Sequence, residues 1–158
     1  MKKLIKSVLA AASVTALTAG VASAQHETDR AQIEVVLGVY EKALNASDTA
    51  AAISVYEADG VFMPQNSPPQ VGTDAVRGAY DRVFKAITLN VDFEIVEIVQ
   101  MAPTWAFVRT NSAGTVTVNA TGDKGPEANQ ELFIFHKGDD GAWKIARYAF
   151  STTNPPRQ

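Results

Sequence analysis

The side chains that could carry chemistry in this sequence are polar groups set within apolar runs. Glu131 directly precedes the run LFIF, and Tyr40 directly follows the run VVLGV. An unpartnered charge among apolar residues costs free energy, and the usual reason to keep one there is a pocket or an ion pair. A pocket carboxyl can donate a hydrogen bond while protonated, or can act as a general acid or base. Glu131 is therefore a candidate catalytic group, and the Tyr40 hydroxyl needs a hydrogen-bond partner.

Each of these residues also has a purely structural interpretation. Glu131 is equally consistent with a salt bridge to Arg109 or Arg147, or with exposure near a strand end. Tyr40 is consistent with a core tyrosine whose hydroxyl is satisfied within the protein. His136 and His26 lack a second metal-type ligand at a useful spacing, so no metal is expected. The sequence contains no nucleophile elbow, phosphate loop or dinucleotide fingerprint, and no cofactor is expected.

The element that must position Glu131 is a predicted β-hairpin near the end of the chain. Strands at 130–136 and 143–151 flank a turn rich in glycine and aspartate. Strand alternation places Glu131, Phe133 and Phe135 on one face. If His136 pairs with Trp143, then Tyr148 and Phe150 join that face, whereas a slip by one residue would exchange the two faces. The preceding strand presents Trp105, Phe107 and Arg109 together, so Arg109 is a candidate partner for Glu131.

The rest of the chain changes from a helical to a strand period near Asn90. A first helix is predicted from Thr28 or Asp29, with an apolar stripe that includes Tyr40. Further helices are predicted from Asp48 to Tyr56 and from Thr73 or Asp74. Strands are predicted at 61–63, 91–100, 104–112 and 115–121, with loops at 65–70 and 122–126. This order predicts an α+β fold with three N-terminal helices packed on a strongly curved, mostly antiparallel sheet, which together enclose a conical pocket.

The first 24 residues have the pattern of a cleaved leader. Lys2, Lys3 and Lys6 precede a weakly apolar run, and small residues precede a cleavage site near Ala24–Gln25. Export to the periplasm or the cell exterior is therefore expected, with one domain at 25–153 and an unstructured tail at 154–158. The chain has no cysteine and a formal net charge of −3, which becomes more negative without those lysines. An acidic surface argues against nucleic acid and anionic membranes as partners.

Five segments of this chain resemble the SnoaL-like branch of the ketosteroid-isomerase and nuclear-transport-factor-like superfamily, including its SgcJ/EcaC-type members. They are YEKALNASD at 40–48, DGVFMP at 59–64, GTDAVR at 72–77, QELFIF at 130–135 and WKIARY at 143–148. The resemblance covers about residues 27–152. It implies a cystatin-like α+β roll with a conical pocket, and a homodimer formed through the outer face of the sheet. It does not imply a single activity, because the superfamily includes isomerases, dehydratases, cyclases and binding proteins.

The resemblance also implies roles for individual residues. Tyr40 matches the oxyanion-hole tyrosine of ketosteroid isomerase, and Glu131 matches a second oxyanion-hole residue that is kept protonated as a hydrogen-bond donor. The family's general-base aspartate falls at Met63, which cannot accept a proton. The isomerase mechanism is therefore not expected here, although Glu131 could act as acid or base in its place.

Together these observations predict an exported, homodimeric domain that binds an apolar or aromatic small molecule with one polar end. Isomerase, lyase or cyclase chemistry is one possible activity. The alternative is a non-catalytic binding or interaction module whose cavity is filled by side chains. Glu131 and Tyr40 are the candidate catalytic residues. The candidate ligand-binding residues are Met63, Trp105, Phe107, Arg109, Phe133, Tyr148 and Phe150.

Overall fold

The computed structural model describes residues 11–154, with side chains from residue 24 onward. Within these residues, three helices and six strands follow one another. The helices are α1 (Ala11–Asn45), α2 (Thr49–Ser54) and α3 (Thr73–Ala86). The strands are β1 (Tyr56–Met63), β2 (Gln70–Val71), β3 (Ile87–Ala102), β4 (Trp105–Val118), β5 (Lys124–Lys137) and β6 (Trp143–Thr152).

The strands form one open sheet in the order β2-β1-β6-β5-β4-β3. Only β1 and β6 run parallel, and every other neighbouring pair is antiparallel. Helix α3 contacts both β1 and β3, which are four strand spacings apart, or about 19 Å in a flat sheet. One helix can reach both strands only because the sheet curls around it. The predicted α+β class, with three helices on a curved and mostly antiparallel sheet, is confirmed.

Helix α1 covers the free edge of the sheet. The Asn45 side chain donates to the Val91 carbonyl and accepts from the Val91 N–H, each over 2.8 Å, and Glu41 accepts from the Phe93 N–H over 2.8 Å. These bonds satisfy backbone groups of β3 that an edge strand would otherwise leave unpaired. They also fix the rotation of α1, so that the predicted apolar stripe, which includes the buried Tyr40, faces the sheet.

Asp29 anchors an earlier turn of the same helix. Its buried carboxylate accepts hydrogen bonds from Lys137 Nζ over 2.7 Å and from the Trp143 indole over 3.1 Å, and also from Gln25 and Gln100. Burial alone would raise the pKa of Asp29, but these hydrogen bonds outweigh it and lower the pKa below its ordinary value of 3.8. The predicted helix start at Thr28 or Asp29 is therefore wrong, because Asp29 lies inside a continuous helix and pairs with the sheet.

The second and third helices differ from their predicted limits by a few residues. Asp48 caps α2 by accepting from the Ala51 N–H over 2.9 Å, as predicted, but the helix ends at Ser54 and Tyr56 already belongs to β1. Helix α3 begins at Thr73 after Gly72, whose φ of 80° suits glycine, and it has no side-chain cap.

Two predicted breaks in the sheet are wrong. The strands predicted at 104–112 and 115–121 form the single strand β4, in which Gly114 permits a close approach to β3. A Cβ atom on Gly114 would lie 2.1 Å from the Asn90 carbonyl oxygen. The loop predicted at 122–126 runs into β5, which begins at Lys124 and contains Pro126. Pro126 is tolerated because β6 extends only to the Asn129–Thr152 pair, so β5 has an open edge at Pro126.

The predicted leader and tail extend beyond the described part of the chain. Residues 1–10 and 155–158 lie outside it, and the proposed cleavage point falls within α1. Within residues 11–154, no helix combines the length and the apolar character that a membrane crossing requires.

Candidate functional site

A cavity of about 150 Å³ lies between α1, α3 and the inner face of the sheet. Most of its wall is apolar or aromatic, and one side is polar. Tyr40 and Glu131 both line it, as their proposed shared role requires. The other lining residues are Leu44, Phe62, Pro64, Tyr80, Val83, Ile87, Leu89, Val91, Phe93, Ser112, Glu127, Asn129, Tyr148 and Phe150. The cavity is not filled by side chains, which argues against the filled-cavity alternative.

Tyr40 belongs to a chain of three buried tyrosine hydroxyls. The Tyr80 hydroxyl lies 2.6 Å from that of Tyr40 and 2.8 Å from that of Tyr56. Burial raises the pKa of all three phenols above the ordinary value of 10, so that they remain protonated at neutral pH. Three protons serve two internal hydrogen bonds, which leaves one proton that the group can donate outward. Tyr40 and Tyr80 line the cavity and Tyr56 does not, so an acceptor in the cavity can receive that proton when the hydrogen bonds leave it on Tyr40 or Tyr80.

Glu131 is buried on β5 and is held by two hydroxyl donors from β4. The Thr110 hydroxyl donates to one carboxyl oxygen over 2.6 Å, and the Ser112 hydroxyl donates to the other over 2.5 Å. Burial raises the pKa of Glu131 above its ordinary value of 4.5, although the bonds from Ser112 and Thr110 oppose the shift, and nearby Glu127 adds to it. The site thus favours a carboxyl that holds its proton to a higher pH than usual, as a general acid requires.

The polar side of the cavity continues along β5 at every second residue. Asn129 Nδ2 donates to Glu127 over 2.9 Å and to the Ser112 hydroxyl over 3.4 Å. Ser112 in turn donates to Glu131, so the two carboxyl groups are joined through an amide and a hydroxyl. The Asn129 Oδ1 atom is buried and has no hydrogen-bond partner among the described residues.

The salt bridges considered for Glu131 do not form. Arg109 pairs with Leu132 across the strands, on the outer face of the sheet, and its guanidinium contacts Glu97 instead. Arg147 also points away from Glu131 and donates to the carbonyl of Ala146 over 2.6 Å. The partners of Glu131 are hydroxyls, so its carboxyl has no compensating positive charge.

The predicted ligand-binding residues separate into three groups. Tyr148 and Phe150 line the cavity as expected. Phe133 is fully buried behind the wall and stacks on Tyr148 with ring centroids 4.2 Å apart. Met63 is half-buried beside the cavity but does not line it, whereas its neighbours Phe62 and Pro64 do.

Trp105, Phe107 and Arg109 do not line this cavity. They share the outer face of β4, opposite the buried Ala106, Val108 and Thr110. The rings of Trp105 and His136 are in contact there, tilted at 31° with their centroids 4.3 Å apart.

The hairpin register explains why Tyr148 and Phe150 were nevertheless placed correctly. Of the two registers that the sequence left open, His136 pairs with Lys144 at the turn rather than with Trp143. A bulge that inserts Ala146 restores the expected faces beyond it, where Phe133 pairs with Tyr148 and Glu131 with Phe150.

The site residues that sequence reasoning missed are Ser112, Thr110, Glu127 and Asn129. Strand alternation would have found all four, since they have the same parity as buried neighbours on β4 and β5. The false break near Pro126 hid Glu127 and Asn129, whereas Thr110 and Ser112 were missed because the opposite face of their strand was taken to line the pocket. Nothing in the sequence pointed to the contact of Tyr80 with Tyr40.

Comparison with known proteins assigns the chain to a family. Residues 36–148 match the family model of the SnoaL-like domain. A ketosteroid isomerase-like protein from Erwinia carotovora atroseptica is 41% identical, with a TM-score of 0.76 over 79% of this chain and 96% of that one. The chain belongs to the SnoaL-like family. No curated protein matches this SnoaL-like chain.

More distant structures share the fold of this SnoaL-like domain. A putative scytalone dehydratase from Novosphingobium aromaticivorans is 18% identical, with a TM-score of 0.73 over 84% of this chain and 89% of that one. A domain with a cystatin-like fold from Nostoc punctiforme is 14% identical, with a TM-score of 0.67 over 81% of this chain and 79% of that one. The predicted cystatin-like fold is confirmed.

Proposed function

We propose that this SnoaL-like protein is a small-molecule pocket domain that binds an apolar or aromatic ligand with one polar end. The observation that carries the proposal is the unfilled cavity, whose wall is largely apolar and includes both Tyr40 and Glu131. Pockets of this kind, with a few convergent polar groups and a carboxyl of shifted pKa, are the usual form of ligand sites. The family and its ketosteroid isomerase-like relative support the same proposal.

We propose acid–base chemistry as the activity of this pocket. The tyrosine group donates its outward proton to a carbonyl or hydroxyl oxygen of the ligand, which stabilises negative charge as it develops there. Burial raises the pKa of Glu131, which passes a proton to the ligand when protonated or takes one from it when ionised. Met63 cannot act as a base and does not line the cavity, so Glu131 takes the acid–base role.

Binding is tested by filling the cavity. Leu89→Trp adds bulk to the cavity wall, and Val71→Trp makes the same kind of change on the exposed strand β2. Ligand-observed NMR with a set of monocyclic aromatic and alicyclic compounds should detect binding to the wild type and to Val71→Trp, and no binding to Leu89→Trp. Binding that survives Leu89→Trp, or no binding to the wild type, would contradict the proposal.

Chemistry is tested on the same protein with a cyclic ketone in deuterium oxide. Abstraction of a proton from the ring carbon beside the carbonyl leads to exchange of that hydrogen for deuterium, which NMR measures directly. Wild-type protein should accelerate this exchange, and Glu131→Gln should lower the rate by about 100-fold, within the usual contribution of a general acid or base. Equal exchange rates for wild type and Glu131→Gln would contradict the acid–base role of Glu131 and would not contradict ligand binding.

The proposal also covers the location and the oligomeric state of the protein. We propose an exported SgcJ/EcaC-type protein, cleaved near Ala24–Gln25, that forms a homodimer through the outer face of the sheet. The leader pattern supports export. The dimer is supported by exposed apolar residues on that face, among them Val99, Trp105 and Leu132.

A further inference from the structure

The cavity brings proton donors together at one place. Burial raises the pKa of Tyr40 and of Tyr148, and the nearby charge of Glu131 raises both further, so the Glu131 carboxyl lies close to these two phenols. A protonated Glu131 and the tyrosine group can both donate to a ligand oxygen there. Removing a proton from a neighbouring carbon needs a group that accepts one, and Met63 cannot do so.

Glu127 is the remaining carboxyl in the wall of the cavity. The other titratable groups among its lining residues, all within the described part of the chain, are Glu131 on β5 and the phenols of Tyr40, Tyr80 and Tyr148 on α1, α3 and β6. Strands β1, β3 and β4 contribute no titratable side chain to the wall. Burial keeps the phenols protonated at neutral pH, which leaves Glu127 as the candidate proton acceptor.

The surroundings of Glu127 differ from those of Glu131. Glu131 is buried with a hydroxyl donor at each oxygen, whereas Glu127 is half-buried. One oxygen of Glu127 accepts from Asn129 Nδ2 over 2.9 Å, and its second oxygen receives no hydrogen bond from residues 24–154. That second oxygen is open to a proton from a ligand. Burial raises the pKa of Glu131 and the charge of Glu127 adds to the shift, so one carboxyl favours a proton on the other.

The two carboxyl groups are close enough for one small molecule to contact both. The bonds from Ser112 to Glu131, from Asn129 to Ser112 and from Asn129 to Glu127 measure 2.5, 3.4 and 2.9 Å, so the carboxyl oxygens at the two ends lie at most about 9 Å apart. A carbonyl oxygen bonded by one carboxyl, with the neighbouring carbon in reach of the other, spans up to about 8 Å. A ketone can therefore contact both groups at once.

We propose that Glu127 is the catalytic base of this pocket and that Glu131 is its acid. This inference rests on the proposed acid–base function and identifies the group that removes the proton. Glu127 takes a proton from the carbon beside the ligand carbonyl, and the electron pair of that C–H bond forms a carbon–carbon double bond. The carbonyl oxygen takes the proton of Glu131. The product is an enol, with Glu127 protonated and Glu131 ionised, and the reverse steps restore the ketone.

Hydrogen exchange of cyclohexanone in deuterium oxide tests this role. Glu127→Gln keeps the size of the side chain and an oxygen for Asn129 Nδ2, but it cannot take a proton. Its exchange rate at neutral pH should fall about 100-fold below that of the wild type, while ligand-observed NMR still detects cyclohexanone binding. Glu127→Asp retains a carboxyl and should exchange faster than Glu127→Gln. Glu94→Gln changes an exposed carboxyl outside the cavity and should exchange at the wild-type rate.

The dependence of the exchange rate on pH distinguishes a base from a residue that only supports the fold. The wild-type rate should rise with pH as Glu127 ionises and fall as Glu131 loses its proton. Glu127→Gln should lose the rising limb, and Glu131→Gln should lose the falling limb. Added acetate supplies a carboxylate from solution, so it should restore part of the rate of Glu127→Ala and leave the rate of Glu94→Ala unchanged.

The outcomes separate this inference from the proposed chemistry. No exchange by the wild-type protein overturns both. Equal exchange by wild type and Glu127→Gln, or a rising limb that survives in Glu127→Gln, overturns the role of Glu127 alone. A wild-type rate without a rising limb overturns that role without the use of any variant.

Discussion

Glu131 shows how one buried carboxyl can be kept without a counter-charge. Hydroxyls from Thr110 and Ser112 satisfy both of its oxygens, at 2.6 Å and 2.5 Å, whichever form the carboxyl takes. A hydroxyl can turn to donate to an ionised carboxyl or to accept from a protonated one. An arginine in the same place would have stabilised the ionised form alone. This arrangement therefore leaves the proton of Glu131 available for exchange with a ligand.

The raised pKa of Glu131 has a consequence for stability. The protonated form is favoured in the folded protein, so the stabilising contribution is fully present below about pH 4.5 and is lost as the pH rises through the raised pKa. Glu131→Gln is neutral throughout, and its free energy of unfolding should fall less over that window than that of the wild type. Urea unfolding between about pH 4 and about pH 8 measures the difference.

Glu94→Gln provides the control, because Glu94 is an exposed carboxyl on β3. Its stability should follow the wild-type pH profile. Superimposed profiles for wild type and Glu131→Gln would show that burial does not shift the proton affinity of Glu131.

At the scale of single elements, β5 carries the site by simple alternation. Glu127, Asn129 and Glu131 face the cavity, and Phe133 continues the same face into the core. The intervening residues form part of the outer face. One strand thus supplies both the polar side of the cavity and the packing that supports its aromatic wall.

Phe133→Ala should lower the free energy of unfolding by about 3–5 kcal/mol, because it removes a fully buried ring and leaves a cavity behind Tyr148. Gln130→Ala, an exposed change on the same strand, should alter it by less than about 0.5 kcal/mol. Denaturant unfolding of both variants makes the comparison. Similar midpoints for the two would contradict the burial of Phe133.

Sequence periodicity was sufficient to predict the buried faces of helices and strands that keep one period. It failed where local backbone geometry determines whether a strand continues. The apolar stripes of α1 and α3 and the inner face of the hairpin were predictable from the spacing of side chains. Gly114 and Pro126 suggested chain breaks, yet each lies within a strand for a reason that depends on neighbouring strands. Arg109 was a candidate partner for Glu131 because a positively charged side chain is a common partner of a buried carboxylate. Predicting that hydroxyl groups bind Glu131 instead would have required the register of β4.

At the scale of the whole molecule, the curled sheet leaves an outer face that the helices do not cover. Val99, Trp105, Phe107 and Leu132 lie on it and form the apolar outer patch. The patch is partly exposed and lies where β3 ends and β4 begins, next to β5. Apolar surface of this kind, bordered by charged residues such as Arg109 and Glu97, is typical of subunit interfaces.

The proposed homodimer predicts that charge on the outer patch separates the subunits. Leu132→Asp should convert a species of twice the chain mass into one of single mass, because an unpaired carboxylate cannot be buried in an apolar interface. Val35→Asp, at an exposed apolar position on α1, should leave the mass unchanged. Light scattering during size-exclusion chromatography measures both. A wild-type protein of single mass would contradict the dimer.

The hydrogen bonds of Asp29 determine how the rest of α1 would be held if the proposed leader were removed. Cleavage after Ala24 would cut α1 about one helical turn before Asp29. The partners that tie Asp29 to the sheet, Lys137, Trp143 and Gln100, all come from later in the chain and are untouched by the cut. Gln25, the remaining partner, would become the first residue of the mature protein. After the proposed cleavage, these later partners would still hold the remaining helix at Asp29.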